Sequence, residues 1–196
     1  MPNRNPDFVY ALNWANEKHW YQTRKGTDIP YFSHLMMVAA LVMEVGGSKD
    51  EVIAALLHDV IEDCDDVEKE DVAARFGDRV AAIVEGLSDA SAKAGEEKQS
   101  WKSRKDAYLA HLQNSDDTSI LLVSNADKLH NARCILRDLE DPEVGAKLWD
   151  RFSSSADENL WYYETLVEIF TRKSPSEILA KELAEVVTKI KHLVCL

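Results

Sequence analysis

The chain has 196 residues, 45% of them hydrophobic and 30% charged, with a formal charge of −12. The size suits one domain, and no run approaches the ~18 consecutive apolar residues of a membrane span. The acidic balance excludes general duplex nucleic-acid binding, which needs a basic face, and leaves room for a small anionic substrate only where a local basic patch and a metal offset the repulsion. Three scattered cysteines, Cys64, Cys134 and Cys195, form no CxxC and argue against a disulfide framework or a cysteine zinc site. Met1-Pro2-Asn3-Arg4-Asn5-Pro6 lacks the apolar core of a signal peptide, so the expected location is cytoplasmic.

Nearly every segment has helical period, and no strong alternating strand is present. The first helix is predicted from about Pro6 to Thr23, with Phe8, Leu12, Ala15 and His19 on one face, stopping at Arg24-Lys25-Gly26. Ser33 is placed to cap a second helix whose apolar residues run from Leu35 to Val45, before Gly46-Gly47. Ser48 or Asp50 opens a third, expected to run to about Asp63. Glu68 to Phe76 and Asp78 to Leu87 follow, separated by Gly77. Ser88 to Ser100 is polar and reads as a mobile loop. Helices are then predicted over Trp101–Leu112, over Ser119–Leu139 behind Asp116-Asp117-Thr118, and over about Ala156–Arg172. Ser174-Pro175 supplies cap and first-turn chemistry for a terminal helix over Ser176–Val194. No repeat or linker is visible. The expectation is one all-α domain, a bundle of roughly eight to ten helices over residues 1–196. Its core spans about residues 5–173, and a C-terminal helix over about 175–194 packs on its own domain.

The most informative segment is Ala54-Ala55-Leu56-Leu57-His58-Asp59-Val60-Ile61-Glu62-Asp63. Polar groups on an otherwise buried helix cost free energy unless something satisfies them, and a bound cation would do so. An isolated His-Asp pair is ordinarily surface chemistry. Here it follows an apolar run, and Asn125-Ala126-Asp127-Lys128-Leu129-His130-Asn131 follows the equally apolar Ile120-Leu121-Leu122-Val123. His34, His58, Asp59 and Asp127 therefore read as metal ligands. A mixed nitrogen and oxygen set suits Mn²⁺, Fe²⁺, Zn²⁺ or Mg²⁺ and leaves room for water and substrate. Residues four apart share a helix face, so Glu62 should lie above His58 and Asp63 above Asp59, placed to exchange protons with an attacking water. Asn131, one turn after Asp127, could hold a phosphate oxygen or orient an acid. His19, His111, His130 and His192 lack such context and read as structural or exposed.

The order His34, His58-Asp59, Asp127 resembles the HD-domain metal-dependent phosphohydrolases. The fuller set resembles the hydrolase half of the RelA/SpoT homologues over most of residues 5–170: Arg24-Lys25-Gly26-Thr27, Pro30-Tyr31-Phe32-Ser33-His34, Ala54-Leu57-His58-Asp59, Glu62-Asp63 and Ala126-Asp127-Lys128-Leu129-His130-Asn131. No synthetase or regulatory domain is seen to follow, so the expectation is a stand-alone small alarmone hydrolase. The resemblance implies one Mn²⁺ per site, with another divalent metal an alternative, held by His34, His58, Asp59 and Asp127. It implies Glu62 and Asp63 as catalytic acids supported by Asn131, and a small nucleotide substrate, (p)ppGpp, losing its 3′-pyrophosphate. Arg24 and Lys25 match the family's basic nucleotide-contacting segment. Lys102 and Arg104, in the basic stretch Lys98–Lys105 with Trp101, are further substrate candidates, as is Tyr162, which aligns with a family aromatic near the ribose. A solvated helix start and plain core packing are the competing readings of those three.

Three rivals remain open at the level of sequence. The same site could serve (p)ppApp, NADPH or a deoxynucleoside monophosphate. The chain could be a non-catalytic, metal-containing nucleotide-binding module, although Glu62 and Asp63 beside the metal would then have no task. A purely structural bundle would hold no metal.

Overall fold

The fold is seen in a computed structural model that describes residues 6–88 and 99–195, so residues 89–98 of the predicted polar loop, Lys98 included, lie outside the described residues. Every regular element among the described residues is helical, apart from an isolated antiparallel bridge between Thr23 and Pro30. Packing divides the chain into two compact units, Met1–Ser88 and Asp89–Leu196.

In the first unit the helices are α1 (Pro6–Lys18), α2 (Phe32–Glu44), α3 (Lys49–Leu57), α4 (Val60–Asp63), α5 (Lys69–Phe76) and α6 (Asp78–Leu87). Helix α3 is the hub and packs against α1, α2 and α6. Its residues Val52 to Leu57 are all buried, with Leu56 and Leu57 fully so. Truncating either to alanine should cost about 2–5 kcal/mol. A capping box closes its first turn: Ser48 Oγ accepts from the Glu51 amide and the Glu51 carboxylate accepts from the Ser48 amide. The turn from α2 into α3 needs both its glycines. Gly46 has φ +79°, and a Cβ on Gly47 would stand 2.8 Å from the Val42 carbonyl oxygen.

Three boundaries in this unit differ from the sequence reading. Helix α1 stops at Lys18 rather than near Thr23. The cap of α2 is Tyr31 rather than Ser33, whose hydroxyl donates to the Pro30 carbonyl within the first turn. The expected single helix through His58-Asp59 is broken there into α3 and α4. Its cause is local. The Ala55 carbonyl receives the His58 Nδ1–H at 2.8 Å, a side-chain competitor for the helical bond to the Asp59 amide, and Asp59 swings to φ −101°, ψ 0°.

The second unit holds α7 (Trp101–Asn114), α8 (Thr118–Glu140), a 3₁₀ turn (Gly145–Arg151) that the sequence reading did not contain, α9 (Ala156–Lys173) and α10 (Glu177–Val194). Helix α8 is its spine. Asp117 accepts from the Ser119 amide, and the apolar run from Ile120 is buried through Asp127. Helices α9, α10 and the 3₁₀ turn pack on α8, and α7 packs on α9. The face of α10 carrying Leu179, Leu183, Val187 and Ile190 is buried, and α10 packs against α8 and α9. Ser176, not Ser174, caps α10, accepting from the Leu179 amide. Pro175 stands before the cap, outside the first turn.

Candidate metal centre and its surroundings

The break between α3 and α4 makes the site. His58 ends α3, Asp59 starts α4, and His34 comes from the first turn of α2. Both imidazoles are buried, at 1% and 3% exposure, and Asp59 is partly open. The His58 Nε2 stands 3.0 Å, and the His34 Nε2 3.8 Å, from the same Asp59 Oδ2. One ligand atom from each residue lies within 4.8 Å of the others. Atoms bound to one ion at about 2.0–2.2 Å stand roughly 3–4 Å apart, so the spacing suits a shared cation. The donor chemistry suits it too. With Nδ1–H given to the Ala55 carbonyl, neutral His58 must present its Nε2 lone pair towards Asp59, the tautomer a metal-binding histidine needs.

Sequence reasoning missed the support around this cluster. Tyr31 donates its phenol hydrogen to Asp59 Oδ2 at 2.5 Å, and its ring stacks on buried His19 with centroids 5.4 Å apart. The Arg24 guanidinium lies 5.5 Å from the same ring, while Lys25 is exposed beside it. Tyr31 could have been found from its place three residues before His34, but a tyrosine at a helix start usually marks packing, so the position alone carries little signal.

Glu62 and Asp63 sit on α4. The four-residue relation between Asp59 and Asp63 survives the helix break, since the Asp63 amide donates to the Asp59 carbonyl at 2.8 Å. Asp63 accepts from Gln22 Nε2 at 2.6 Å. Asp63 keeps a face open to solvent, yet the protein around it withholds enough water to push its carboxyl above the usual range. The Asp59 charge adds to this, and the Gln22 hydrogen bond opposes it. A raised carboxyl is suited to giving and taking protons nearer neutrality.

The remaining candidates belong to the second unit. Asp127, buried on α8, accepts from Lys128 Nζ and from Asn131 Nδ2, each at 2.6 Å, so Asn131 is placed to orient this acid. The Lys128 ammonium also lies 5.0 Å from the Tyr108 ring, whose hydroxyl shares a 2.7 Å hydrogen bond with Ser124. Of the proposed substrate residues, exposed Lys102 pairs with Asp106 at 2.5 Å and lies 3.5 Å from the Trp161 ring. Arg104 is half-buried. Tyr162 is buried at 4% exposure, edge-on to Trp101, with the Lys105 ammonium 5.2 Å away. The structure thus gathers His34, His58 and Asp59 within one unit, with Glu62 and Asp63 on the adjoining helix. It gathers Asp127, Lys128 and Asn131 in the other.

Comparison with known proteins gives a consistent set. Residues 11–151 match the family described as HD domain. The chain is 34% identical over 134 residues, 68% of its length, to a guanosine-3′,5′-bis(diphosphate) 3′-pyrophosphohydrolase of Aquifex aeolicus, and 36% identical over 126 residues, 62% of its length, to one of Vibrio cholerae. It spans less than a fifth of these relatives, 18% and 17% of their lengths. Among solved structures it resembles a metazoan SpoT ortholog described as hydrolysing ppGpp, with TM-score 0.75, 25% identity, and coverage of 96% of this chain and 98% of that one. A Listeria monocytogenes protein matches with TM-score 0.68 and 29% identity, over 80% of this chain and 97% of that one. No helix among the described residues is long and apolar enough to cross a membrane.

Proposed function

Because this chain belongs to the HD domain family, we propose that it is a metal-dependent phosphohydrolase that removes the 3′-pyrophosphate of (p)ppGpp, yielding GDP or GTP and pyrophosphate. The observation that carries the metal half of the reading is the convergence of His34, His58 and Asp59, with the His58 tautomer set by Ala55. The relatives' names and the SpoT-like neighbour support the substrate. The family match runs past residue 88, where packing divides the chain, and supports reading both units as one hydrolase domain.

His34, His58 and Asp59 would hold the ion, with Asp127 as fourth ligand, and Mn²⁺ suits their mixed donors. When bound, such an ion polarises a phosphoryl oxygen and acidifies water. The chain's own residues supply the rest. Tyr31 orients the Asp59 carboxylate by its phenol hydrogen bond. Asp63 Oδ2 is engaged by Gln22, so Oδ1 is the oxygen that exchanges a proton with the attacking water or the leaving pyrophosphate, with Glu62 as second acid. Arg24 and Lys25 supply local positive charge for a phosphorylated nucleotide approaching a protein of net charge −12. Lys102, Arg104 and Tyr162 are the second group of proposed contacts.

The test is hydrolysis of ppGpp by metal-stripped protein with and without added Mn²⁺, following GDP and pyrophosphate. Metal-dependent release of both is expected. Release of orthophosphate instead would indicate another phosphatase chemistry at the same ligands. Faster turnover of ppApp, NADPH or a deoxynucleoside monophosphate would move the substrate assignment. Tight nucleotide and metal binding without turnover would make the chain a binding module.

A further inference from the structure

Two side chains outside the assigned site, His19 and Gln22, form a continuous path into it. His19 is 2% exposed, and its Nδ1 is 2.5 Å from Gln22 Oε1. Gln22 Nε2 is 2.6 Å from Asp63 Oδ2. The polarity of the path follows from chemistry. A carboxylate only accepts, so Gln22 must turn its NH₂ to Asp63. That leaves Oε1 facing His19, and His19 must carry its proton on Nδ1. Its Nε2 is then a buried acceptor that makes no hydrogen bond among the described residues. Leucine or phenylalanine at this place would avoid that cost, so packing alone does not account for a histidine here.

The same imidazole stacks on Tyr31, whose hydroxyl reaches Asp59. Backbone bonds close the segment on itself, the Tyr31 amide donating to the Gln22 carbonyl at 2.9 Å and the Arg24 amide to the Ile29 carbonyl at 2.8 Å. The end of α1 is held to the residues after α4 by Lys18 paired with Asp66 at 2.5 Å and by Cys64 Sγ against the Lys18 carbonyl. The brace is therefore fixed at both ends.

We propose that His19 and Gln22 are positioning residues for the reaction: His19 fixes the amide orientation of Gln22, Gln22 aims the Asp63 carboxylate, and the stack on Tyr31 braces Asp59 from the same ring. This rests on the proposed hydrolase reading for its kinetic consequence but not for its structural one. Gln22→Leu should lower kcat about 10–100-fold, the range for groups that support a reactive residue, while KM and Mn²⁺ affinity stay near wild type. His19→Phe, which keeps a ring against Tyr31 but removes Nδ1–H, should lower kcat about ten-fold.

A merely structural role is separated by a double-mutant cycle. In an Asp63→Asn background, Gln22→Leu should have no further effect on kcat, because it acts through Asp63. If Gln22→Leu does not fold, Gln22→Glu, of nearly the same shape, replaces it with the same expectation. An independent readout is the nuclear magnetic resonance signal of the Gln22 side-chain amide in metal-free protein, which should shift in both His19→Phe and Asp63→Asn. Unchanged kcat in the Gln22 variant, additive losses in the cycle, or a Gln22 amide indifferent to both substitutions would overturn the brace. If the wild type turns over no alarmone, the reaction assignment fails by itself, and the amide signal alone upholds or overturns the brace.

Discussion

Asp59 and Asp127 both follow an apolar helical run, and residue type alone assigns them the same work, yet their surroundings differ in kind. Asp59 Oδ2 is approached by two imidazole nitrogens and a phenol. Asp127 accepts from an ammonium and an amide of its own helix. Imidazole nitrogens and a carboxylate are all metal donors, so the first cluster brings three potential ligand atoms into one small volume. The second carboxylate already has a cation beside it, and a metal drawing on it must share it with Lys128. The first cluster is thus arranged as a donor set for an ion, whereas the second is already paired within its own helix.

The largest expected effect tests the first half of that contrast. Asp59→Ala should abolish Mn²⁺ retention, measured by metal analysis after gel filtration, and take release of pyrophosphate from ppGpp below detection. Full metal content with wild-type turnover would break the ligand assignment. Glu62→Gln comes next. It removes a proton acceptor without touching the three ligand atoms, so metal content should stay near one per chain while kcat falls about 10²–10⁴-fold. An unchanged kcat removes Glu62 from the mechanism.

Asp127→Asn probes the other side. As an additional ligand it should weaken Mn²⁺ binding about 10–100-fold, less than Asp59→Ala, with turnover recovering at high metal. Mn²⁺ affinity equal to wild type would confine Asp127 to its pair with Lys128. That pair predicts a smaller, separate effect. Lys128→Met leaves a mostly buried carboxylate without its ammonium and should cost about 1–3 kcal/mol in denaturant unfolding of metal-free protein. Saturating Mn²⁺ should recover part of the loss if the ion meets Asp127, and none if it does not.

The same contrast shows what could be read from the sequence. The helices were legible because apolar spacing and punctuation agreed: Ser48, Asp117 and Gly77 all mark boundaries by local chemistry. The break at His58-Asp59 was not, because the pattern is helical throughout, and only the folded position of the His58 ring lets it take the Ala55 carbonyl. The convergence of His34 with His58-Asp59 was legible as a donor set. Tyr31, Gln22 and His19 were not, since each is an ordinary packing residue until the segment between α1 and α2 folds back and brings a phenol to Asp59 and an amide to Asp63. Nor does the sequence give Lys128 a task, because pairing with the adjacent Asp127 depends on a side-chain path that spacing does not specify.

The smallest effect uses a thiol as a reporter of the acidic side of the first cluster. Cys64 caps α4, and burial first, then the charges of Asp63 and Asp66, push its thiol up from 9.0 to about 11. Cys195 is exposed at the end of α10. At pH 8 a thiol near 11 is almost wholly protonated, so Cys64 should resist alkylation while the exposed Cys195 reacts, as read by peptide mass mapping. The linkage has a definite sign. The folded state favours the protonated thiol, so the Cys64 contribution to stability is fully present below pH 9 and is lost as pH rises through 9 to 11. The melting temperature of wild type should therefore fall more steeply over that interval than that of Cys64→Ala. Equal slopes, or rapid alkylation of Cys64 at pH 8, would mean that the acids around α4 are better solvated than their packing implies. The contrast with the self-paired Asp127 would narrow accordingly.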